Sequence, residues 1–457
     1  MPTLDIWMNG ALVGHWTRHA GIDRLTYSRE WMDSPQGRPI SLSLPYARAA
    51  GGQATIRSAA VGAFFDNLLP DNDRILQRIR DRHRLRSTQA FDLLAAVGRD
   101  CAGALQLVPE GAEPGNPRII EGSELDDAGV AAVLRAATLD RLPTQADPDA
   151  FRISIAGAQE KTALLRHEGK WQAPLGATPS THILKLPLGL VGNMRADLSS
   201  SVELEWLCLE IARAFGLPVA KAEIGLFEDQ KALVVERFDR RLASDGSWYI
   251  RIPQEDMCQA HGIRADSRYE TDGGPGIREI MALLRGSTEA TADRVTFFRA
   301  QVLYWLMAAT DGHAKNFSLV LMPGGAYRLA PLYDILSTYP IQGRGPGQLD
   351  PRRAKMAMAV CGKNRHYGVA DIHHRHWVAM AEQLGLETSA RELIAGLGGE
   401  VEAVLDEVGN RLPPTFPSMV FDVVRDGMMA AAWKLGVEAG SGASHRVNGA
   451  RRSIESG

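Results

Sequence analysis

The chain has 457 residues, 45% of them hydrophobic and 23% charged, values that exclude a disordered or fibrous polymer and a single minimal module. Lys and Arg total 51 against 54 for Asp and Glu, a net charge of -3, which excludes global attraction to nucleic acid or anionic membrane and leaves such binding to local patches. Cys101, Cys208, Cys258 and Cys361 are scattered without a C-x2-C pair, which argues against a zinc site or a disulfide framework and suits a reducing cytosol.

The N-terminal MPTLDIWMNGALVGHW has neither a basic leader nor an export-length apolar core, and no stretch approaches the roughly 18 to 20 apolar residues that span a bilayer. The expectation is a cytoplasmic chain with no membrane partner. From Leu4 to Ile56, short alternating runs broken by Gly and Pro, such as LDIWMNGALVGHW and PISLSLP, predict hairpins of a small β-rich unit. Over residues 61–97 apolar residues recur three and four apart, with Pro70 and Asn72 at a helix boundary, so helices are expected there. PEGAEPGNP at 109–117 then marks the edge of a first unit, taken as 1–115.

Residues 116–238 return to β-like runs, ISIAG, KTALLR, HILKLP, AEIGLF and ALVVERF, interrupted by one amphipathic helix from Ser201 to Phe215. Beyond Asp239 long helical patterns such as TFFRAQVLYWLMAAT dominate to about residue 436, and 437–457 reads as a flexible tail. The expected class is α+β: a strand-rich lobe with an extra N-terminal subdomain, followed by an all-α lobe.

The segment TDGHAKNFSLV places Asp311 and Asn316 five apart after an apolar helix. In kinase catalytic loops an Asp at this spacing orients or deprotonates the attacking hydroxyl, and the Asn holds magnesium through its amide oxygen. A solvated loop matches the same spacing. Asp334 in LAPLYDILST follows a short apolar segment, where a second metal ligand or a helix cap would both fit. Lys185 lies inside HILKLP among apolar neighbours, placed to hold phosphates or to protect a sheet edge. Glu203 and Glu205 on the following helix are its two candidate partners. In SIAGAQEKTALL, the backbone amides of Ala156, Gly157 and Ala158 could approach phosphate oxygens, although the segment matches neither GxGxxG nor Walker A. VVERFDR lies where two lobes should meet, with Glu236 and Phe238 suited to adenine; an ordinary strand end would look the same.

Taken in order, SIAGAQEKTALL, HILKLP, VVERFDR, IPQEDMCQAHG, TDGHAKNFSLV and APLYDILST resemble the signature of HipA-family toxin kinases, and FFDNLLPDNDR resembles that family's partner-coupling segment. The resemblance implies a two-lobed protein-kinase-like fold using ATP and Mg2+. It implies Asp311 as catalytic base, and Asn316 and Asp334 as metal ligands. Lys185 would hold phosphates, and Ala156, Gly157, Ala158, Gln159, Glu160 and Lys161 would cover the nucleotide, with Glu236, Arg237, Phe238, His313, Lys315 and Tyr333 beside it. It further implies inactivating autophosphorylation at Ser154, whose added charge would repel ATP phosphates. The implied partners are a HipB-like helix-turn-helix antitoxin, operator DNA reached mainly through that antitoxin, and an aminoacyl-tRNA synthetase substrate such as the glutamyl enzyme.

The competing readings are a small-molecule kinase of aminoglycoside or choline type and a catalytically silent corepressor. The basic run RILQRIRDRHRLR and the group Arg352, Arg353 and Lys355 could touch DNA phosphates or simply be solvated faces.

Overall fold

The computed structural model describes residues 1–46, 54–139, 157, 159–192, 194–386 and 390–440, with side chains to 436. The chain opens with β1 (Thr3–Met8), β2 (Ala11–His19) and β3 (Ile22–Tyr27), followed by α1 (Arg29–Asp33), β4 (Thr55–Arg57), α2 (Ala59–Asp66), α3 (Asp73–Arg82), α4 (Ala90–Val97) and β5 (Leu105–Pro109). These strands form an antiparallel sheet in the order β4-β3-β2-β1-β5. Its inward residues Leu4, Ile6, Trp16 and Leu25 pack on Phe64 and Phe65 of α2 and Leu93 and Leu94 of α4, and Trp16 stacks on Phe65 at 3.9 Å.

The expected strand over PISLSLP does not form. Pro39 and Pro45 each lack a ladder donor, and the segment is instead tied down by long-range bonds. Tyr27 donates to the Leu44 carbonyl at 2.7 Å, and Leu42 N donates to Glu255 at 2.9 Å.

A six-stranded sheet follows, in the order β12-β13-β9-β7-β8-β6. Its strands are β6 (Gly122–Leu125), β7 (Lys161–His167), β8 (Lys170–Pro174), β9 (His182–Lys185), β12 (Ala222–Phe227) and β13 (Gln230–Glu236), with the hairpin β10 (Gly189–Val191) and β11 (Ala196–Leu198) beside it. Two helices cover it where one was expected. α5 (Asp127–Thr138) packs Val130 and Leu134 against Leu164, Leu184 and Val234 on one face. On the other, α6 (Ser201–Ala214) brings Val202 against Leu233 and Val235. Successive residues of β13 therefore serve opposite cores, the pattern of a sheet buried on both sides. The start of α5 carries an Asp126 side-chain cap and Asp127 in its first turn, a signal present in the sequence.

The second lobe is built on α9 (Ala290–Leu306), buried through Phe297, Phe298 and Trp305. Before it come β14 (Arg240–Leu242), β15 (Tyr249–Arg251), β16 (Gln254–Asp256), α7 (Met257–Ala260) and α8 (Ile277–Leu283). After it come β17 (Ser318–Leu321), β18 (Tyr327–Leu329), β19 (Lys355–Cys361), β20 (Arg365–Gly368), α10 (His374–Leu384), α11 (Ala390–Gly409) and α12 (Ser418–Gly440). The lobe is helix-rich but not all-α, because β16-β17-β18 form a small sheet and β14-β15 and β19-β20 form hairpins. All four cysteines are free and buried, and among the described residues no helix is long and apolar enough to cross a membrane.

Candidate active site

Lys161 and Lys185 stand directly opposite each other on β7 and β9. Like charges so placed repel unless anions lie between or beside them. The anions are present: Lys185 Nζ donates to Glu205 Oε1 at 2.6 Å and to Asp334 Oδ1 at 2.8 Å. This resolves the choice between the two glutamates, since Glu203 pairs with Lys231. Burial works against the Lys185 ammonium, but Asp334 and Glu205 outweigh it and hold the group well above the ordinary lysine range. At Lys161 burial and then the Lys185 charge outweigh Asp334, Asp71 and Glu205 and bring the group down to about 8. Burial pushes Glu205 up to about 6. Burial would also raise Asp334, yet Lys185 and Lys161 prevail and hold it down at about 2, ionised at neutral pH. Asp334 also has φ +58°, a left-handed conformation that is uncommon for a residue with a Cβ and that clusters at functional sites.

The loop after α9 presents Asp311 to solvent. Tyr269 Oη donates to Asp311 Oδ1 at 2.5 Å, and its ring meets the edge of His313 at 5.0 Å. Burial holds His313 below the usual histidine value. Asn316 Nδ2 donates to the Asp311 carbonyl at 2.9 Å, which leaves its amide oxygen as the group for a cation. Tyr333 donates to the Lys315 carbonyl at 3.0 Å, lies 2.5 Å from Ser318 Oγ, and stacks with Phe238 at 5.9 Å between ring centres. An ionised carboxylate and an amide oxygen are hard donors that fit a divalent cation such as magnesium. Among the described residues no cluster of three His, Cys, Asp or Glu could hold a metal alone, so phosphate and water oxygens would complete the shell.

The structure assigns several expected residues to other work. Arg237 was expected beside the nucleotide; its buried guanidinium instead binds Asp239 at 2.9 Å, Ser180 Oγ at 2.9 Å and the Cys101 carbonyl at 2.8 Å. Lys315 was expected there too, but its ammonium is buried against Asp71 at 2.7 Å. Glu160 is gripped by both terminal nitrogens of Arg78 at 2.8 Å, and Gln159 Nε2 donates to the Leu186 carbonyl at 2.6 Å. Both side chains support the loop from behind. Glu236 ends β13 next to Lys221, 3.4 Å away. Gly157 has φ +109°, a backbone conformation that L side chains rarely adopt and glycine takes freely, and it lies beside Lys161 Nζ. Ser154, Ala156 and Ala158 lie outside the described residues.

Sequence reasoning missed Asp71, Arg78 and Tyr269. Arg78 had a signal: with Ile75 and Ile79 it occupies the i, i+3, i+4 stripe of α3, where an amphipathic helix places apolar residues. The basic run is accordingly not a free face, since Arg82 also donates to the Ala136 and Leu139 carbonyls. Arg352, Arg353 and Lys355 remain exposed.

The strand-rich lobe with its Lys–Glu pair, followed by the Asp-x4-Asn loop and a later carboxylate on the helix-rich lobe, defines a protein-kinase-like architecture. Residues 153–405 match the HipA-like C-terminal domain and residues 4–108 the HipA N-terminal domain. Y4mE of Sinorhizobium fredii, described as a candidate kinase, is 34% identical over 84% of this chain and 86% of its own. The serine/threonine-protein kinase toxin HipA of Shewanella oneidensis is 27% identical over 73% of this chain and 75% of its own. A solved complex of Shewanella oneidensis HipA with HipB and operator DNA superposes with a TM-score of 0.75, at 22% identity, covering 94% of this chain and 96% of that one. The chain belongs to the HipA family.

Proposed function

We propose that this chain is a serine/threonine-protein kinase toxin that moves the γ-phosphoryl group of ATP to a protein hydroxyl. The observation that carries the reading is the opposed pair Lys161 and Lys185 facing Asp334, with Glu205 fixing Lys185 from behind. Two cations at a strand pair, Lys185 buried and Lys161 half-buried, suit the α and β phosphates of a nucleotide. Asn316 and Asp334 would hold Mg2+, which when bound neutralises phosphate charge and aligns the γ-phosphate. Lys185 would exchange Asp334 for phosphate oxygen while keeping Glu205. Asp311 accepts the proton of the incoming serine or threonine hydroxyl; the new O–P bond forms as the bond to the β-phosphate oxygen breaks, and ADP leaves. Tyr333 and Phe238 form an aromatic wall beside the nucleotide.

The Shewanella complex of HipA with HipB and operator DNA supports a HipB-like antitoxin and operator DNA as partners; that the antitoxin is a helix-turn-helix protein through which the DNA is mainly reached is part of the proposal. The toxin name of the second relative supports a protein acceptor; an aminoacyl-tRNA synthetase such as the glutamyl enzyme is the acceptor proposed, with action in the cytoplasm and inactivation by autophosphorylation at Ser154. The test is transfer from γ-labelled ATP with magnesium, offering cytosolic lysate to wild type, Asp311→Asn and Asp334→Ala. Label on a synthetase-sized band and on the chain itself, absent in both variants, is the expected result. Label appearing on a metabolite and on no protein would overturn it in favour of a small-molecule kinase.

A further inference from the structure

The first subdomain reaches into the active site at two points, both on the short stretch around the start of α3. Asp71, in the turn before the helix, donates its backbone N–H to the Gly157 carbonyl at 3.3 Å and binds Lys315 of the catalytic loop with its carboxylate at 2.7 Å. Lys315 also donates to the Asn67 carbonyl at 3.3 Å. Two turns on, Arg78 forks onto Glu160, and its Nη1 also reaches the Ala137 carbonyl at 2.5 Å. Arg78, Asp71 and Lys315 side chains are each 5% exposed or less. A cavity of about 70 Å³ separates α3 from the loop, lined by Ile75, Ile79, Gly157 and Lys161 among others. Across that gap the links from helix to loop are the Arg78–Glu160 ion pair and, at the helix start, the Asp71–Gly157 backbone bond.

A bidentate Arg–carboxylate pair fixes both distance and angle. Glu160 is followed directly by Lys161, the residue whose ammonium lies against Gly157 and opposite Lys185. Anything that moves α3 thus moves Lys161 relative to the phosphate site, while anything that moves the preceding turn shifts Lys315 and with it the loop of Asp311 and Asn316. We infer that the first subdomain is a built-in strut of the kinase site: Arg78, through Glu160, sets nucleotide affinity, and Asp71, through Lys315, sets the alignment of the catalytic loop. Both are positioning residues. The inference deepens the kinase reading and rests on it.

The experiment measures Mg-ATP binding at equilibrium and steady-state transfer to the acceptor for wild type, Arg78→Gln, Glu160→Gln, the double variant and Asp71→Asn. Glu160 is about one-third exposed, so Glu160→Gln keeps its shape and should fold even if Arg78→Gln does not. The expected result is about tenfold weaker ATP binding in either single variant, no further loss in the double, and a kcat at saturating ATP that changes much less. Asp71→Asn should do the opposite, lowering kcat with ATP affinity nearly retained. A role confined to stability would lower the unfolding midpoint without this split. Unchanged ATP affinity in folded Glu160→Gln, or losses in the two single variants that simply multiply in the double, would overturn the strut. Failure of the unmutated chain to bind ATP would remove the kinase reading itself, and is told apart because it needs no variant.

Discussion

Among the described residues, two clusters of buried or half-buried charge differ in one respect. Asp100, Arg237, Asp239, Arg240 and Arg251 lie at the junction of the first subdomain with the six-stranded sheet, every side chain 7% exposed or less. Lys161, Lys185, Glu205 and Asp334 form the other, where Asp334 remains 40% exposed and holds a left-handed backbone. In the closed cluster both carboxylates are answered inside: Asp239 accepts from Arg237, Gln254 and Gly103 N, and Asp100 from Ser180 and Arg240. In the open one the last carboxylate faces outward, with two cations behind it. Burial of charge therefore marks structure and function alike, and the unfinished side of the shell tells them apart.

The sharpest way to test that contrast is Asp311→Asn, in the loop facing the open cluster. Phosphoryl transfer should fall by about 10²–10⁴-fold with the unfolding midpoint unmoved, because Asp311 is exposed; a comparable loss of stability would break the distinction. Arg237→Met should do the reverse. Removing one member of a buried ion network costs about 3–5 kcal/mol, read by urea unfolding, while ATP affinity of the folded fraction is kept.

The glutamates separate next. Glu205→Gln should weaken transfer strongly by loosening Lys185, whereas Glu203→Gln should leave kcat nearly unchanged, since Glu203 pairs with Lys231 and not with Lys185. Equal effects on kcat would sink the assignment of Glu205.

The smallest effect is a pH slope. Burial pushes Glu255 up to about 8 from 4.5, so the folded chain binds a proton in that window that the unfolded chain has lost. Stability from this group is complete below 4.5 and declines as pH rises to 8. Wild type should lose a few degrees of unfolding midpoint across that range, and Glu255→Gln should flatten the decline.

Much of the site was legible because its residues come in a fixed order with short spacings: Lys185, then Asp311 and Asn316, then Asp334. What was not legible came from direction and distance. Glu203 and Glu205 lie two apart on one helix, on nearly opposite sides of it, and nothing local says which side meets β9. Arg237 carries a charge beside the nucleotide motif, yet its partner Asp100 is 137 residues away. Tyr269 reaches Asp311 across 42 residues and Asp71 reaches Lys315 across 244, separations no periodicity encodes. In the fold, the strands of the first subdomain followed their alternation, while PISLSLP alternated without becoming a strand because its prolines could not complete a ladder.

The four free cysteines lie on different elements, Cys101 in the core of the first subdomain and Cys208, Cys258 and Cys361 at three places in the large core of the second lobe. Cys101 sits in the closed charge cluster, Cys208 on the helix of Glu205, Cys258 beside Asp256 near the catalytic loop, and Cys361 at the end of β19. Burial raises each thiol above its ordinary value, and a thiol reagent attacks only the thiolate of an opened site. The native chain thus carries four silent clocks, whose separate alkylation rates would time local opening at the charge cluster, at α6, beside the catalytic loop and at β19 without a single engineered label.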